Sequence, residues 1–157
     1  MAQLATGNRD EAFDIVQDAM FSLVRRYSTR PQEEWGPLFQ RILQSRIRDG
    51  YRRARVRNRW RVWFGGDDEQ DDALAALPDP NARRAEDLLG NERAGAALEA
   101  ALQSLPLRQQ QAFLLRSWEG LDVSATAAAM ACSEGSVKTH YSRAVHRLRE
   151  LLEDHWP

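Results

Sequence analysis

The chain has 157 residues, of which 43% are hydrophobic and 29% are charged, and its net charge at pH 7 is −1. This length allows one domain or two small ones, and the composition is typical of amphipathic helices around packed cores. A single cysteine excludes an intrachain disulfide. One cysteine and three scattered histidines do not have the spacing of a tetrahedral zinc motif, so such a site is excluded as well. No apolar run approaches the ~20 residues that span a bilayer, and the first residues lack the apolar core of a signal peptide. We therefore expect a cytoplasmic protein without a membrane span, a metal, a cofactor or catalytic residues.

The near-neutral total charge conceals a strong segregation along the chain. Residues 1–64 carry 13 arginines against 7 acids, whereas residues 65–72, "GGDDEQDD", carry five acids and no base. Binding to nucleic acid depends on the local patch and not on the sum. The charge balance therefore leaves a nucleic-acid partner open.

Helical periodicity dominates the chain, beginning with "DEAFDIVQDAMFSLVRRY" at residues 10–27. Acids lie in the first turns of this segment and arginines in the last, an order that complements the helix dipole. The apolar residues recur at steps of three and four and predict a buried face formed by Phe13, Val16, Met20, Leu23, Val24 and Tyr27.

A second helix is predicted from about Trp35 to about Trp60, with Pro37 in its first turn and Gly50 as a weak point. It holds nine arginines between Arg41 and Arg61 and a single acid, Asp49. Five of the arginines step by seven, four, three and four and form one stripe, namely Arg41, Arg48, Arg52, Arg55 and Arg59. A stripe without matching acids suits the phosphate backbone of a nucleic acid.

Residues 65–92 break the helical pattern with two glycines, the acidic run and "PDP". Their composition predicts a flexible linker between two separately folded helical domains. Leucines then indicate a helix ending near Pro106, and "LRQQQAFLLRSWEG" indicates another, stopped by Gly120.

The last predicted helix, residues 133–154, separates two faces at 100° per residue. One face is apolar and consists of Val137, Tyr141, Ala144, Val145, Leu148, Leu151 and Leu152. The opposite face is cationic and rich in hydroxyl groups, with Lys138 and His140 at its edges, and no acid follows Glu134 until Glu150. Such a face fits a major groove, where short polar side chains reach base edges and arginine binds guanine or phosphate.

The segment before this helix completes a helix-turn-helix plan. Ser124 is expected to cap the short alanine-rich helix of residues 124–131, and Ser133 is expected to cap the long one. Small Ala127 lets the two helices cross closely, and Cys132 is expected to pack in the turn as a small apolar residue. The alternative to a DNA-binding motif is a helical hairpin whose charged face contacts only water.

The segment "SLPLRQQQAFLLRSWEGLDVSATAAAMACSEGSVKTHYSRAVHRLREL" resembles region 4 of sigma-70-family RNA polymerase sigma factors, most closely the extracytoplasmic-function (ECF) group. "DEAFDIVQDAMFSLVRRY" resembles region 2.2, and "WGPLFQRILQSRIRDGYRRARVR" resembles regions 2.3 to 2.4. The resemblance implies an all-α chain in which residues 1–64 form an N-terminally incomplete region 2, 65–92 an acidic flexible linker and 93–157 region 4 with its helix-turn-helix.

The resemblance also implies partners: core RNA polymerase, through its β′ clamp helices and β flap, promoter DNA and an anti-sigma factor. The region 2.2 helix of the family docks on the clamp helices, and the matching polymerase-binding residues are Asp14, Gln17, Asp18 and Arg25.

The same resemblance assigns DNA contacts. The expected −35 contacts are Ser136, Lys138, Thr139, Ser142 and Arg143, and the expected −10 contacts are Arg41, Ser45, Arg48, Arg52, Arg53 and Arg55. The chain departs from the family at Ser45, where asparagine is common, and at Ala131, where glycine is frequent. An alanine at a positive-φ position costs about 1 kcal/mol.

Two other classes of protein fit parts of the pattern. "SVKTHYSR" also resembles the recognition helix of LuxR-type transcriptional regulators, which have no need of the arginine-rich helix. A helical adaptor that binds only proteins is the other alternative, and weak affinity for DNA would favour it.

Overall fold

A computed structural model describes residues 1–63 and 90–153, with side chains for 1–56 and 94–153. All regular elements in these ranges are helical, and the predicted all-α class is confirmed. Most of the predicted linker lies outside the described residues, and so does the end predicted for the last helix. None of the described helices is long and apolar enough to cross a lipid bilayer.

Seven α-helices follow one another along these two ranges. The N-terminal group consists of α1 (Ala2–Thr6), α2 (Arg9–Tyr27) and α3 (Trp35–Trp63), with a 3-10 turn at Gln32–Glu34. The C-terminal group consists of α4 (Gly90–Gln103), α5 (Leu107–Phe113), α6 (Val123–Met130) and α7 (Glu134–Leu151). A π-helical turn, Leu114–Trp118, continues α5, and Gly120 with φ 67° ends it.

Helix α2 begins where the sequence predicts but buries a different face. Asn8 caps it by accepting hydrogen bonds from the backbone N–H groups of Asp10 and Glu11. The buried residues are Ala12, Ala19 and Leu23, and the predicted stripe is largely outside, with Phe13, Met20 and Val24 about half exposed or more. The predicted face is right for the buried Leu23 and, in part, for the half-buried Val16 and Tyr27. It was wrong for the other three residues, because small alanines form the side that approaches α1 and α3 most closely.

The core of the N-terminal group lies between its three helices. It is formed by Ala2, Ala12, Ala19, Leu43 and Ile47. Helix α3 continues through Gly50 without interruption, so the predicted weak point does not break it.

The C-terminal group has two adjoining apolar clusters. The first joins α4, α5 and α7 and contains Ala101, Leu102, Leu105, Leu114, Ala144, Leu148 and Leu152. The second lies under the helix-turn-helix and contains Ala112, Leu115, Ala127, Ala129, Met130 and Val137. Cys132 packs against this second cluster as a free, half-buried thiol, in agreement with the prediction.

The two groups contact one another, which the sequence did not indicate. Helix α3 packs along α6, and α1 contacts α4 as well as α2 and α3. Met1 and Leu4 pack against the C-terminal clusters, while Leu107 packs against the N-terminal core. Helix α3, which holds the predicted −10 contacts, therefore packs against α6 of the helix-turn-helix, and α6 in turn packs against α7 with the predicted −35 contacts.

Candidate nucleic-acid interface

Helix α7 has the register that the sequence predicts. Ser133 caps it, with its Oγ accepting a hydrogen bond of 3.1 Å from the backbone N–H of Ser136. Val137 is buried in the cluster with α5 and α6, and Ala144 and Leu148 are buried in the cluster with α4 and α5. Leu151 departs from the predicted stripe, since 42% of it is exposed at the end of the helix.

The opposite face of α7 carries the predicted −35 contacts. Lys138, Thr139, Ser142 and Arg143 are exposed and Ser136 is half-buried. Residues at spacings of three and four lie on one side of a helix, so the five side chains share one solvent-facing surface. The hydroxyl of Thr139 donates to the carbonyl of Gly135 at 3.0 Å, which leaves its lone pairs outward as acceptors.

Two residues define the ends of α6, the helix that precedes α7. Asp122 caps α6, its Oδ1 accepting a hydrogen bond of 2.7 Å from the N–H of Ala125, so the prediction of Ser124 as the cap was wrong by two residues. Ala131 closes α6 in the left-handed region at φ 51°, a conformation that favours glycine. The left-handed Ala131 therefore sets the direction in which the chain leaves α6 and enters α7.

Helix α3 presents most of the predicted −10 contacts to solvent. Arg41, Arg52, Arg53 and Arg55 are exposed, whereas Ser45 and Arg48 are half-buried. Asp49 forms a salt bridge of 3.4 Å with Arg52, and its backbone carbonyl accepts from Arg53 at 3.3 Å. Both arginines are exposed, so these contacts are weak and leave the guanidinium groups accessible.

Arg48 points away from solvent and toward the helix-turn-helix. Its Nη1 donates to the backbone carbonyl of Met130 at 3.0 Å, and Nη1 of Arg108 donates to the same oxygen at 2.8 Å. Burial is the main cause that lowers the pKa of Arg48, and the charge of Arg108 adds to it. Sequence reasoning missed Arg108 because its approach to α3 depends on contacts between residues far apart in the chain.

His140 lies at the edge of the recognition face and is half-buried. Burial lowers its pKa, and the positive charges of Arg108 and then Arg143 lower it further. The imidazole is therefore neutral at physiological pH, and the charge of this face comes from Lys138 and Arg143.

A second exposed surface lies on α2. The predicted polymerase-binding residues, Asp14, Gln17, Asp18 and Arg25, are all exposed. Beside them runs an exposed apolar stripe of Phe13, Met20, Phe21 and Val24, with exposed fractions from 49% to 66%. A contiguous apolar patch next to charged residues is typical of a protein-binding surface. Sequence reasoning found the polar residues but placed most of the apolar ones in the core.

Comparison with known proteins identifies this arrangement. A family model described as "Sigma-70, region 4" matches residues 95–148, which hold the helix-turn-helix. An RNA polymerase sigma-E factor of Streptomyces avermitilis is 32% identical over 143 residues, which cover 91% of this chain and 72% of that protein. The chain belongs to the ECF group of the sigma-70 family.

Further relatives of this ECF sigma factor extend the likeness to the whole chain. The ECF sigma factor SigE of Mycolicibacterium smegmatis is 30% identical over 158 residues, which cover 99% of this chain and 57% of that protein. The chain thus spans little more than half the length of that relative. A solved structure of the sigma factor RpoE in complex with the anti-sigma factor NepR from Bartonella quintana superimposes with a TM-score of 0.63 at 25% identity, covering 99% of this chain and 89% of that one. The LuxR-type alternative is not supported.

Proposed function

We propose that the chain binds core RNA polymerase and directs promoter-specific transcription initiation by recognising −10 and −35 elements. The observation that carries the proposal is an exposed recognition face on α7 that holds no acid between Glu134 and Glu150, together with an arginine stripe on α3, in a member of the sigma-70 family. In this proposal the chain acts in the cytoplasm as a binding factor and not as an enzyme. Residues 1–64 act as region 2, 65–92 as a linker and 93–157 as region 4.

Recognition of the −35 element is assigned to α7. Lys138 and Arg143 are exposed, and neither forms a salt bridge with another described residue. They are available for a guanine edge or a phosphate, while the hydroxyl groups of Thr139 and Ser142 can reach neighbouring base edges. The Ser133 cap fixes the start of α7, and helical spacing places these side chains on one side of it.

Recognition of the −10 element is assigned to α3. Arg41, Arg52 and Arg53 are exposed on a helix whose only acid in this stretch is Asp49. This charge pattern supports binding along a phosphate backbone, and Ser45 is the position at which we expect base identity to differ from that of relatives with asparagine.

Docking on polymerase is assigned to α2 and to region 4. The exposed apolar stripe provides surface that would become buried on docking, while Asp14, Asp18 and Arg25 at its border would provide charge complementarity and orientation. We assign the α2 surface to the β′ clamp helices and region 4 to the β flap.

An anti-sigma factor is the third proposed partner. The solved structure that superimposes on the chain is that of a sigma factor with its anti-sigma factor. A helical partner that covers the apolar stripe of α2 would compete with core polymerase for the same surface.

In-vitro transcription tests this proposal. The chain is added to core RNA polymerase with a library of DNA fragments, and the 5′ ends of the transcripts are mapped by sequencing. We expect chain-dependent start sites that share two upstream sequence elements. Binding to polymerase without any chain-dependent start site would refute promoter recognition and favour the adaptor alternative.

A further inference from the structure

One backbone oxygen at the end of α6 accepts hydrogen bonds from two arginines. Nη1 of Arg48 on α3 donates to the carbonyl of Met130 at 3.0 Å, and Nη1 of Arg108 on α5 donates to the same oxygen at 2.8 Å. A cation at the C-terminus of a helix is favourable, and one arginine is enough to cap this carbonyl. The second arginine brings a like charge close, because the two Nη1 atoms lie no farther apart than the sum of these distances. The shared carbonyl therefore explains one of the two guanidinium groups but not both.

No carboxylate forms an ion pair with these two charges in the part of the chain that the structure describes. The acid next in sequence to Arg48 is Asp49, and it pairs with Arg52 at 3.4 Å. A guanidinium has five N–H donors in a planar fork, and the Met130 carbonyl uses one donor of each arginine. Neither side chain donates to any other described residue. The remaining N–H groups of Arg48 and Arg108 are therefore available to a shared ligand.

A histidine and a third arginine extend the cluster onto α7, which packs against α5. His140 is half-buried, and Arg143 is exposed one turn further along the same helix. Burial lowers the pKa of His140, and the charges of Arg108 and then Arg143 lower it further. Burial also lowers the pKa of Arg48, with the charge of Arg108 adding to the effect and that of Asp49 offsetting it only in part. The cluster is therefore a half-buried region of positive potential without a compensating anion.

The donor groups of this cluster match a terminal phosphate group better than other anions. Two guanidinium forks offer more N–H groups than a planar carboxylate accepts, whereas a phosphate group spreads its oxygens over a tetrahedron. A terminal phosphate carries about −1.5 to −2 charges at pH 7 and three strong acceptor oxygens. A phosphate of the DNA backbone carries a single negative charge and balances less of the cluster. Arg48, Arg108 and His140 are each half-buried, so a small ligand can reach them and is partly shielded from water.

We propose that Arg48, Arg108 and His140 form a binding site for a terminal phosphate group, that of inorganic phosphate or of a phosphate monoester. The two guanidinium groups bind the phosphate oxygens through their free N–H groups, and the imidazole lies at the edge of the site as a further donor. The bound anion cancels the repulsion between Arg48 and Arg108. This gives Arg48 a role besides the −10 contact assigned to it, and the proposal does not rest on the proposed function.

Proton NMR of the full chain tests the site, with inorganic phosphate as the probe. The Hε1 resonance of His140, assigned by its loss in His140→Gln, reports the local charge. At pH 7.5 phosphate should shift this resonance along a saturable curve, whereas chloride and acetate at equal ionic strength should not. His146 lies on the same helix, exposed and 3.3 Å from Glu150, and its resonance is the internal reference for general salt effects. Sulfate keeps both charges throughout a pH titration, and at saturation it should raise the pKa of His140 by about one unit.

Removing one guanidinium group tests which side chains hold the anion. Arg108→Gln keeps an N–H donor for the Met130 carbonyl and should weaken phosphate binding roughly tenfold, the effect of one charged hydrogen-bonding partner. The matched control, Arg26→Gln, removes the same charge at an exposed position of α2 and should leave the curve unchanged. Equal affinity of these two variants would overturn the proposal. If Arg108→Gln lowers the helix content measured by circular dichroism, Arg48→Gln replaces it, with the same expectation and the same refutation.

The remaining outcomes also decide the matter. Equal shifts with phosphate, acetate and chloride would mean that the anions only screen charge, and the proposal would be overturned. A shift caused by a 30-base-pair duplex but not by phosphate would assign the cluster to the DNA backbone and would overturn it as well. Saturable phosphate binding in a chain that gives no chain-dependent transcript would support the site and contradict only the proposed function.

Discussion

Replacing Ala131 by glycine should stabilise the protein. Ala131 lies at φ 51° and is exposed, so the substitution relieves backbone strain without loss of packing. The N–H of Cys132 donates to the carbonyl of Ala127 at 3.1 Å and the N–H of Ala131 to that of Ala128 at 3.4 Å, the bonds of a Schellman cap, which glycine adopts without strain. The free energy of unfolding should rise by about 0.5–1 kcal/mol, since the relief of about 1–2 kcal/mol of left-handed strain is partly offset by the about 0.5–1 kcal/mol of conformational entropy that glycine adds to the unfolded chain.

Urea denaturation followed by circular dichroism at 222 nm measures this change. For a chain of this length, 1 kcal/mol corresponds to a rise in Tm of about 2–4 °C. Ala128→Gly is the matched control, because the same atoms are removed at an exposed helical position three residues earlier, where glycine should cost about 0.5–1 kcal/mol. Equal destabilisation by both substitutions would refute the assignment of a strained left-handed turn.

Three further predictions concern charge. Lys138→Ala and Arg143→Ala should each weaken binding to the −35 element by ~1–3 kcal/mol in a fluorescence-anisotropy titration, while core-polymerase binding stays unchanged; equal affinity of variant and wild type would contradict the groove assignment. Arg52→Ala with Arg53→Ala should reduce the slope of log K against log salt by roughly one unit per lost phosphate contact, and an unchanged slope would mean that these side chains are only solvated. Because the pKa of His140 is lowered in the folded state, folding favours its neutral form, and stability should fall as the pH drops through about 6.5; His140→Gln should lose less stability than wild type between pH 7.5 and pH 5.5 in urea unfolding, and an identical loss would refute this.

The C-terminal helices could be predicted from the sequence because their pattern of apolar and charged residues is compatible with only one choice of buried face. Val137, Ala144 and Leu148 oppose Lys138 and Arg143 around α7, so only one register buries the apolar residues and exposes the charges. The cap at Ser133 follows from the same local chemistry.

The N-terminal register could not be predicted in the same way. Helix α2 has large apolar residues on one side and alanines on another, and the side that is buried depends on how closely α1 and α3 approach. Phe13 and Ala12 are both apolar, so hydropathy alone favoured the larger side chain. The prediction of the α6 cap was wrong for a simpler reason, since Asp122 and Ser124 lie two residues apart and both residue types are good caps.

The contact between the two groups of helices could not be predicted from the sequence, for a different physical reason. Gln44 and Gln111 are 67 residues apart, and two glutamines carry no sequence signal of mutual burial. Arg48 belongs to a stripe that is otherwise exposed, so its turn toward Met130 depends on the tertiary arrangement and not on helical periodicity.

Footprinting of the promoter complex tests the central assignment most directly. Hydroxyl radicals are applied to the chain and core RNA polymerase on a promoter found by transcript mapping. We predict protection at both the −10 and −35 elements, with Lys138→Ala and Arg143→Ala removing only the upstream protection and Arg52→Ala with Arg53→Ala weakening only the downstream one. Protection that is unchanged by both sets of substitutions, or the loss of both regions with either set, would contradict the division of promoter recognition between α7 and α3.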